Sequence, residues 1–547
     1  MLKRRRNLVM LTLLAACAAS SAAPAGADDA PLHARVDDLV AAKAKAEGWA
    51  VAPVAGDGEF LRRAWLDFAG VIPTADEARA FIADQAPDKR ARLIDALLAG
   101  DRYPRRMRDL FHVMLMERRG DDDAWLAYLE ASFQANKPWD QLAREIVNPS
   151  RDSEEARAAA FFYTKRLEHY GQNPIDYPGL TRDVGRLFLG KDFQCAQCHD
   201  HLFVKDYKQA DFQGMFVTYR NLSIDTQAKF PAVAEGVLTQ KTEFVSVFKK
   251  DVQKTTGPRV PGRDEIAIQT FEKGQEWLVP PDKAKHLPGA PKFSPLTEFA
   301  REIPSAGNPA FVANAVNRLW FVMMGRGLVH PLDLNHTKNP PSHPQVLDLL
   351  ADQFVAHKFD IKWLWRELAL TQAYQRSSLL PTADKQDGAG APSPPPPQEA
   401  FTVALERRLS AEQLLDAVLT ATGPANIDDP ARQELHKRFI AALANEAGDP
   451  EEQVSPSLKA ALFLSNDQKV LALLASREGN LIDRLTKLDD AGAAADELYL
   501  SVLTRLPSVA ERGEVADYLT KNADRRAVAL GQLAWALVAS AEFSVNH

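Results

Sequence analysis

Along most of the chain apolar residues recur at helical spacing rather than in alternation, in segments bounded by Gly, Pro and helix-capping residues. This spacing predicts helices over 34–48, 59–69, 90–98, 104–118, 123–135, 139–147 and 180–189. After Pro73, Thr74 and Glu77 stand at the separation of a capping box, the hydroxyl capping the next helix and the carboxylate reaching back. Between about 220 and 304 the helical period is lost and Pro and Gly rise, and Glu243 to Phe248 has the β-branched and aromatic content of a strand. Helix returns over 309–324, 343–357 and 361–372, and a Pro-rich loop at 384–397 precedes helices from Ser410 to the end. The chain reads as mainly α. A multi-helix domain over 31–220 and a second over 305–547 flank a small β-containing or irregular connector over 221–304.

One echo crosses this pattern. Tyr499 to Glu511 repeats the texture of Trp65 to Glu77: an apolar helix ends at Pro and a Ser/Thr-x-x-Glu box starts the next. Duplication and independent use of a common helix start both account for it.

Residues 1–27 carry Lys3-Arg4-Arg5-Arg6, an apolar run from Leu8 to Ala16, and small residues up to Ala27. This is the pattern of an export signal, too short for a stable membrane span. Leu14-Ala15-Ala16-Cys17 also fits a lipobox, in which Cys17 would carry the lipid and anchor the mature chain to a membrane; cleavage after Ala27 is the other route. Both lead out of the cytoplasm, to the periplasm or cell envelope. Without the four basic residues of the signal, 62 Lys and Arg stand against 73 Asp and Glu, a charge that argues against a nucleic-acid partner.

The chain has 3 cysteines in 547 residues, and two of them, Cys195 and Cys198, form C-x-x-C-H with His199. This is the pattern of covalent haem c attachment: two thiols reach the two vinyl groups on one porphyrin edge, and the adjacent histidine meets the iron as axial ligand. Outside the cytoplasm a close thiol pair does not stay reduced. A zinc site from Cys195, Cys198, His199 and His201 is a second option, although structural zinc usually draws on two separated clusters. A redox disulfide is the third, without the strand-then-helix context of a thioredoxin-like motif.

Beyond these residues the chain shows a resemblance. The run from Phe60-Leu61-Arg62-Arg63 through Pro73-Thr74 and Phe188-Leu189-Gly190 to Cys195–His201 resembles the secreted planctomycete cytochrome-like family, domain of unknown function fifteen-forty-nine. Val316-Asn317-Arg318-Leu319-Trp320, Gly325 to Val329, Asn339 to Pro344, Tyr374 to Ser378 and Glu542 to His547 resemble its companion, fifteen-fifty-three. The resemblance implies a secreted haem-binding protein. His201-Leu202-Phe203 departs from the family's usual His-Pro-Phe, which implies a different local turn.

For the other face of the iron, Met215 is the first candidate ligand, with His112, His169, Met114 and Met116 as rivals; singly, methionines more often fill cores. His330, His336 and His343 lie close in sequence near Asp333, in a Pro-rich loop where such residues more often hold turns. Arg318, Arg326 and Arg376 could pair with haem propionates, although ion pairing within the protein is the commoner fate. Nucleophile elbows, phosphate loops and paired catalytic carboxylates do not rise above noise. The leading expectation is a single-haem electron carrier with an exported redox partner. Next comes an envelope scaffold or binding protein whose cysteine pair is structural, and last an enzyme with five-coordinate haem.

Overall fold

The computed structural model describes residues 30–150, 157–168, 172–225, 232–282, 284, 288–380, 395–423, 429–450 and 458–547. Cys17 and the rest of the expected signal, His169, and residues 384–394 of the Pro-rich loop lie outside them.

The fold is mainly α. Helices run Leu32–Glu47, Asp57–Phe68, Ala75–Ala83, Lys89–Ala99, Arg102–Met116, Asp123–Gln134, Trp139–Val147 and Tyr177–Leu189, each within a few residues of its expected span where one was expected. Local chemistry sets their ends. Gly48 takes the left-handed conformation that closes the first helix, and at Thr74 both bonds of the capping box are made. No helix among the described residues is long and apolar enough to cross a membrane.

The β content is confined to short antiparallel pairs. In the connector, Leu222–Asp225 pairs with Ala232–Glu235, Thr242–Ser246 with Lys249–Thr256, and Trp277–Val279 with Ala290–Pro291. The strand expected to reach Phe248 stops at Ser246, where the register shifts. Val247 and Phe248 form the hairpin's turn, and the Phe248 amide donates to Ser246 Oγ. The extreme C-terminus also departs from expectation: Val545–Asn546 is a strand paired with Arg407–Arg408.

The hydrophobic cores do not follow the expected boundaries at 220 and 305. One core joins Leu32 through Tyr219 with Leu296 through Tyr374 and Phe401. Trp139 stacks between Phe188 and Phe311, one from each side of the connector. A second core is built from Leu409 through Phe543, and Leu66 and Ile72 of the N-terminal part insert into it. The two echo segments meet in a small core of their own, where Trp65 and Ala75, with the flanking Leu61 and Ala78, cluster with Leu500.

The helix Asp57–Phe68 sits where the cores meet and carries a buried polar node. Arg62 donates to the carbonyls of Val502 and Phe543, and Arg63 to those of Tyr374, Arg376 and His547. Asp67 accepts from both Nη atoms of Arg407 at 2.8 Å, from the Tyr374 hydroxyl at 2.8 Å and from Asn546 at 2.9 Å. Charges so buried are tolerable only when fully paired, and here nearly every donor and acceptor finds a partner far along the chain.

Candidate functional site

The helix Tyr177–Leu189 delivers the chain to the cysteine motif. Its N-cap Asp176 accepts from the Gly179 amide, and Gly190, with φ of 64°, ends it. The chain then doubles back: Lys191 N donates to Gly185 O, and Phe193 packs where any side chain on residue 185 would stand. A Cβ on Gly185 would meet the Phe193 ring at 2.6 Å.

Residues 195–197 form a single 3-10 turn. In that conformation positions three apart eclipse, so Cys195 and Cys198 share one side. Ala196 is fully buried and anchors the turn, leaving both thiols exposed and unbonded to each other. Gln213 donates to Gln197 O at 3.1 Å, and the Gln209 amide donates to Asp200 Oδ1 at 2.8 Å. Val247 N donates to Cys198 O at 3.1 Å, which fastens the connector hairpin over the motif.

The two histidines of the motif differ in which nitrogen is free. His199 Nδ1 lies 2.7 Å from the Asp200 carbonyl oxygen. That oxygen can only accept, so the proton is on Nδ1 and Nε2 offers its lone pair. His201 Nδ1 instead accepts from the amides of Phe203 and Val204, which puts the ring's proton on Nε2. Only His199 presents a ligating nitrogen outward, the arrangement in which a backbone bond orients a metal-binding imidazole.

Exposed apolar side chains lie beside the two histidines of the motif. Phe248, 64% exposed, lies 4.6 Å from the His199 ring, and Phe203 is 77% exposed beside an exposed Leu202. Large apolar side chains this open to water, grouped at one place, mark a contact surface. Their exposure was not legible in the sequence, where Phe248 reads as part of a strand and Leu202-Phe203 as a changed turn.

Residues 35–223 match a family model described as PSCyt2, a protein of unknown function (DUF1549). Residues 297–447 match PSD1, likewise a protein of unknown function (DUF1553). The two matches follow one another in that order along the chain. No curated protein and no solved structure matches it. The DUF1549 part supplies the cysteine turn, and the DUF1553 part braces its approach. Asp192 N donates to Asp333 O at 2.8 Å and Asn335 N to Gly190 O at 2.9 Å. Asp333 in turn accepts from Arg186 at 2.9 Å and from Arg318.

The structure does not bring Met215 to the motif. On the helix Gln209–Tyr219 the Gln213 side chain faces the turn, and at roughly 100° per residue Met215, two positions on, points nearly opposite. Its thioether is fully buried in the main core. The rivals are engaged elsewhere: His112 uses both ring nitrogens, on Asp121 and Trp125, while Met116 lies against Arg166. Met114 lines a cavity behind the helix Arg102–Met116.

The three loop histidines part company. His330 stacks on Phe321, His343 lies tilted against Phe401 and His336 meets Tyr207 edge-on, so they form no joint site. Burial pushes the His343 imidazole down to about 4, with Lys43 adding to it. Arg318 serves Asp333, Arg326 lies near Glu399 and Arg376 donates to Ala52 O, so none of these contacts is with the cysteine turn. Among the described residues no cluster of three or more His, Cys, Asp or Glu side chains is arranged for a metal ion.

Proposed function

We propose that this chain is an exported c-type haem protein, holding one haem c through Cys195 and Cys198 with His199 as axial ligand, and exchanging single electrons with an exported partner protein. The observation that carries the reading is the turn itself: two exposed thiols on one side and, one residue on, an imidazole whose Nδ1 is committed and whose Nε2 is free. The group, once attached, would supply one-electron chemistry at its iron. The residues fit it: Cys195 and Cys198 for the vinyl carbons, His199 for the iron, and Leu202, Phe203, Val247 and Phe248 as apolar surface for the ring. An exposed seat rimmed by apolar side chains favours electron exchange over chemistry on a sequestered substrate, because a partner's cofactor must approach the ring edge.

The test is expression with the c-type maturation machinery. Haem should stay with the polypeptide on a denaturing gel, and Cys195→Ala with Cys198→Ala should remove it. His199→Ala should keep the covalent haem and change its spectrum. A processed wild-type protein without haem absorbance would sink the proposal. Ready carbon monoxide binding by the wild type would turn the reading from electron carrier to five-coordinate haem enzyme.

A further inference from the structure

A cavity of about 420 Å³ lies between the helices Arg102–Met116 and Pro309–Met324 and the start of the C-terminal bundle, far larger than a packing defect and within the range of small-molecule sites. One wall is apolar, formed by Leu110, Val113, Met114, Leu187, Phe321 and Val322.

The polar side is unevenly matched. Four of its carboxylates already have cationic partners: Asp67 has Arg407, Asp109 has Arg108, Glu117 has Arg119 and Arg186, and Glu412 has Arg118. Arg106 has no such match. It is only 8% exposed, its Nε reaches the Asp67 carbonyl at 3.4 Å, and among the described residues its two Nη atoms have no hydrogen-bond or ion-pair partner. Burial lowers its pKa, against the pull of Asp67 and Asp109 nearby. A buried guanidinium fork facing a cavity is the standard receptor for a planar anion.

We infer that this cavity binds a small organic carboxylate, its carboxyl group paired with the Nη atoms of Arg106 and its apolar body against the Leu110–Met114 and Phe321–Val322 wall. A monoanion fits better than phosphate, because Asp67 and Asp109 stand close enough to Arg106 to repel a second negative charge. The site is separate from the cysteine turn, and its occupancy does not depend on haem.

The experiment is calorimetric titration of the purified full chain with naphthylacetate, its neutral counterpart naphthylethanol, and inorganic phosphate. Naphthylacetate should bind saturably, and naphthylethanol and Arg106→Gln should each weaken binding at least about tenfold, as expected for losing a charge-assisted bond. Should Arg106→Gln fail to fold by circular dichroism, Met114→Trp, which fills the cavity from its own wall, decides instead by abolishing binding. No saturable binding to the wild type overturns the inference. So does phosphate binding in preference to naphthylacetate, or naphthylacetate binding unchanged in the folded variants.

Discussion

Gly185 shows how much a single hydrogen decides near the cysteine turn. Because Phe193 occupies the space a methyl group would need, Gly185→Ala must push the Phe193 ring and with it the start of the 3-10 turn. Overpacking of this kind costs about 1–3 kcal/mol, to be read from a lower urea midpoint. If the turn seats haem, the haem-to-protein ratio should fall as well, and Phe193→Leu added to Gly185→Ala should recover part of both. The C-x-x-C-H motif stands out in the sequence because rarity and spacing mark it without reference to the fold. The role of Met215 was not: a methionine's usefulness as a ligand depends on which face of its helix looks at the motif. The Gln213 side chain settles that face through its hydrogen bond to Gln197 O. The same limit applied to Arg318, Arg326 and Arg376, whose partners lie on other elements.

Among the elements, the connector gains most from the structure. Its composition announced a loss of helix, but its pairings are too short and its registers too irregular to be read from alternation. The strand Ala232–Glu235 is tied to the helix Pro295–Glu302 by Glu235, which accepts from the Leu296 amide at 3.0 Å. Burial raises this carboxyl to about 7, against the pull of its bonds to Ser294 and Leu296. A carboxyl whose pKa is raised on folding stabilises the protein below its unfolded value, near 4.5, and that contribution is lost as pH rises through 7. The wild type should therefore lose up to about 3 kcal/mol between these limits relative to Glu235→Gln, measured by paired urea titrations across the range. Identical slopes for the two proteins would show that Glu235 is not buried as described. The helices before the Pro-rich loop, by contrast, were legible to within a few residues, because capping boxes and terminal glycines fix many ends locally.

At the scale of the molecule, the sequence suggested domains laid end to end, and the cores show why that picture is incomplete. Helical periodicity reports which face of a segment is buried but not against what, so it could not reveal that residues from both matched stretches fill one interior. Residues 35–223 expressed alone should accordingly be insoluble or unfold without cooperativity by circular dichroism, since Trp139 and Phe188 would lose Phe311. A cooperative, soluble fragment would contradict this. The polar node carries a further consequence, one of timing. Arg63 and Asp67 find partners in His547 and Asn546, separated by 484 and 479 positions. A polypeptide delivered from its N-terminus exposes these charges long before their partners arrive, so the interior around them cannot close early. The helix Asp57–Phe68 and the two cores that meet on it would thus stay open until the last residues arrive, and removal of Asn546 and His547 should prolong that phase.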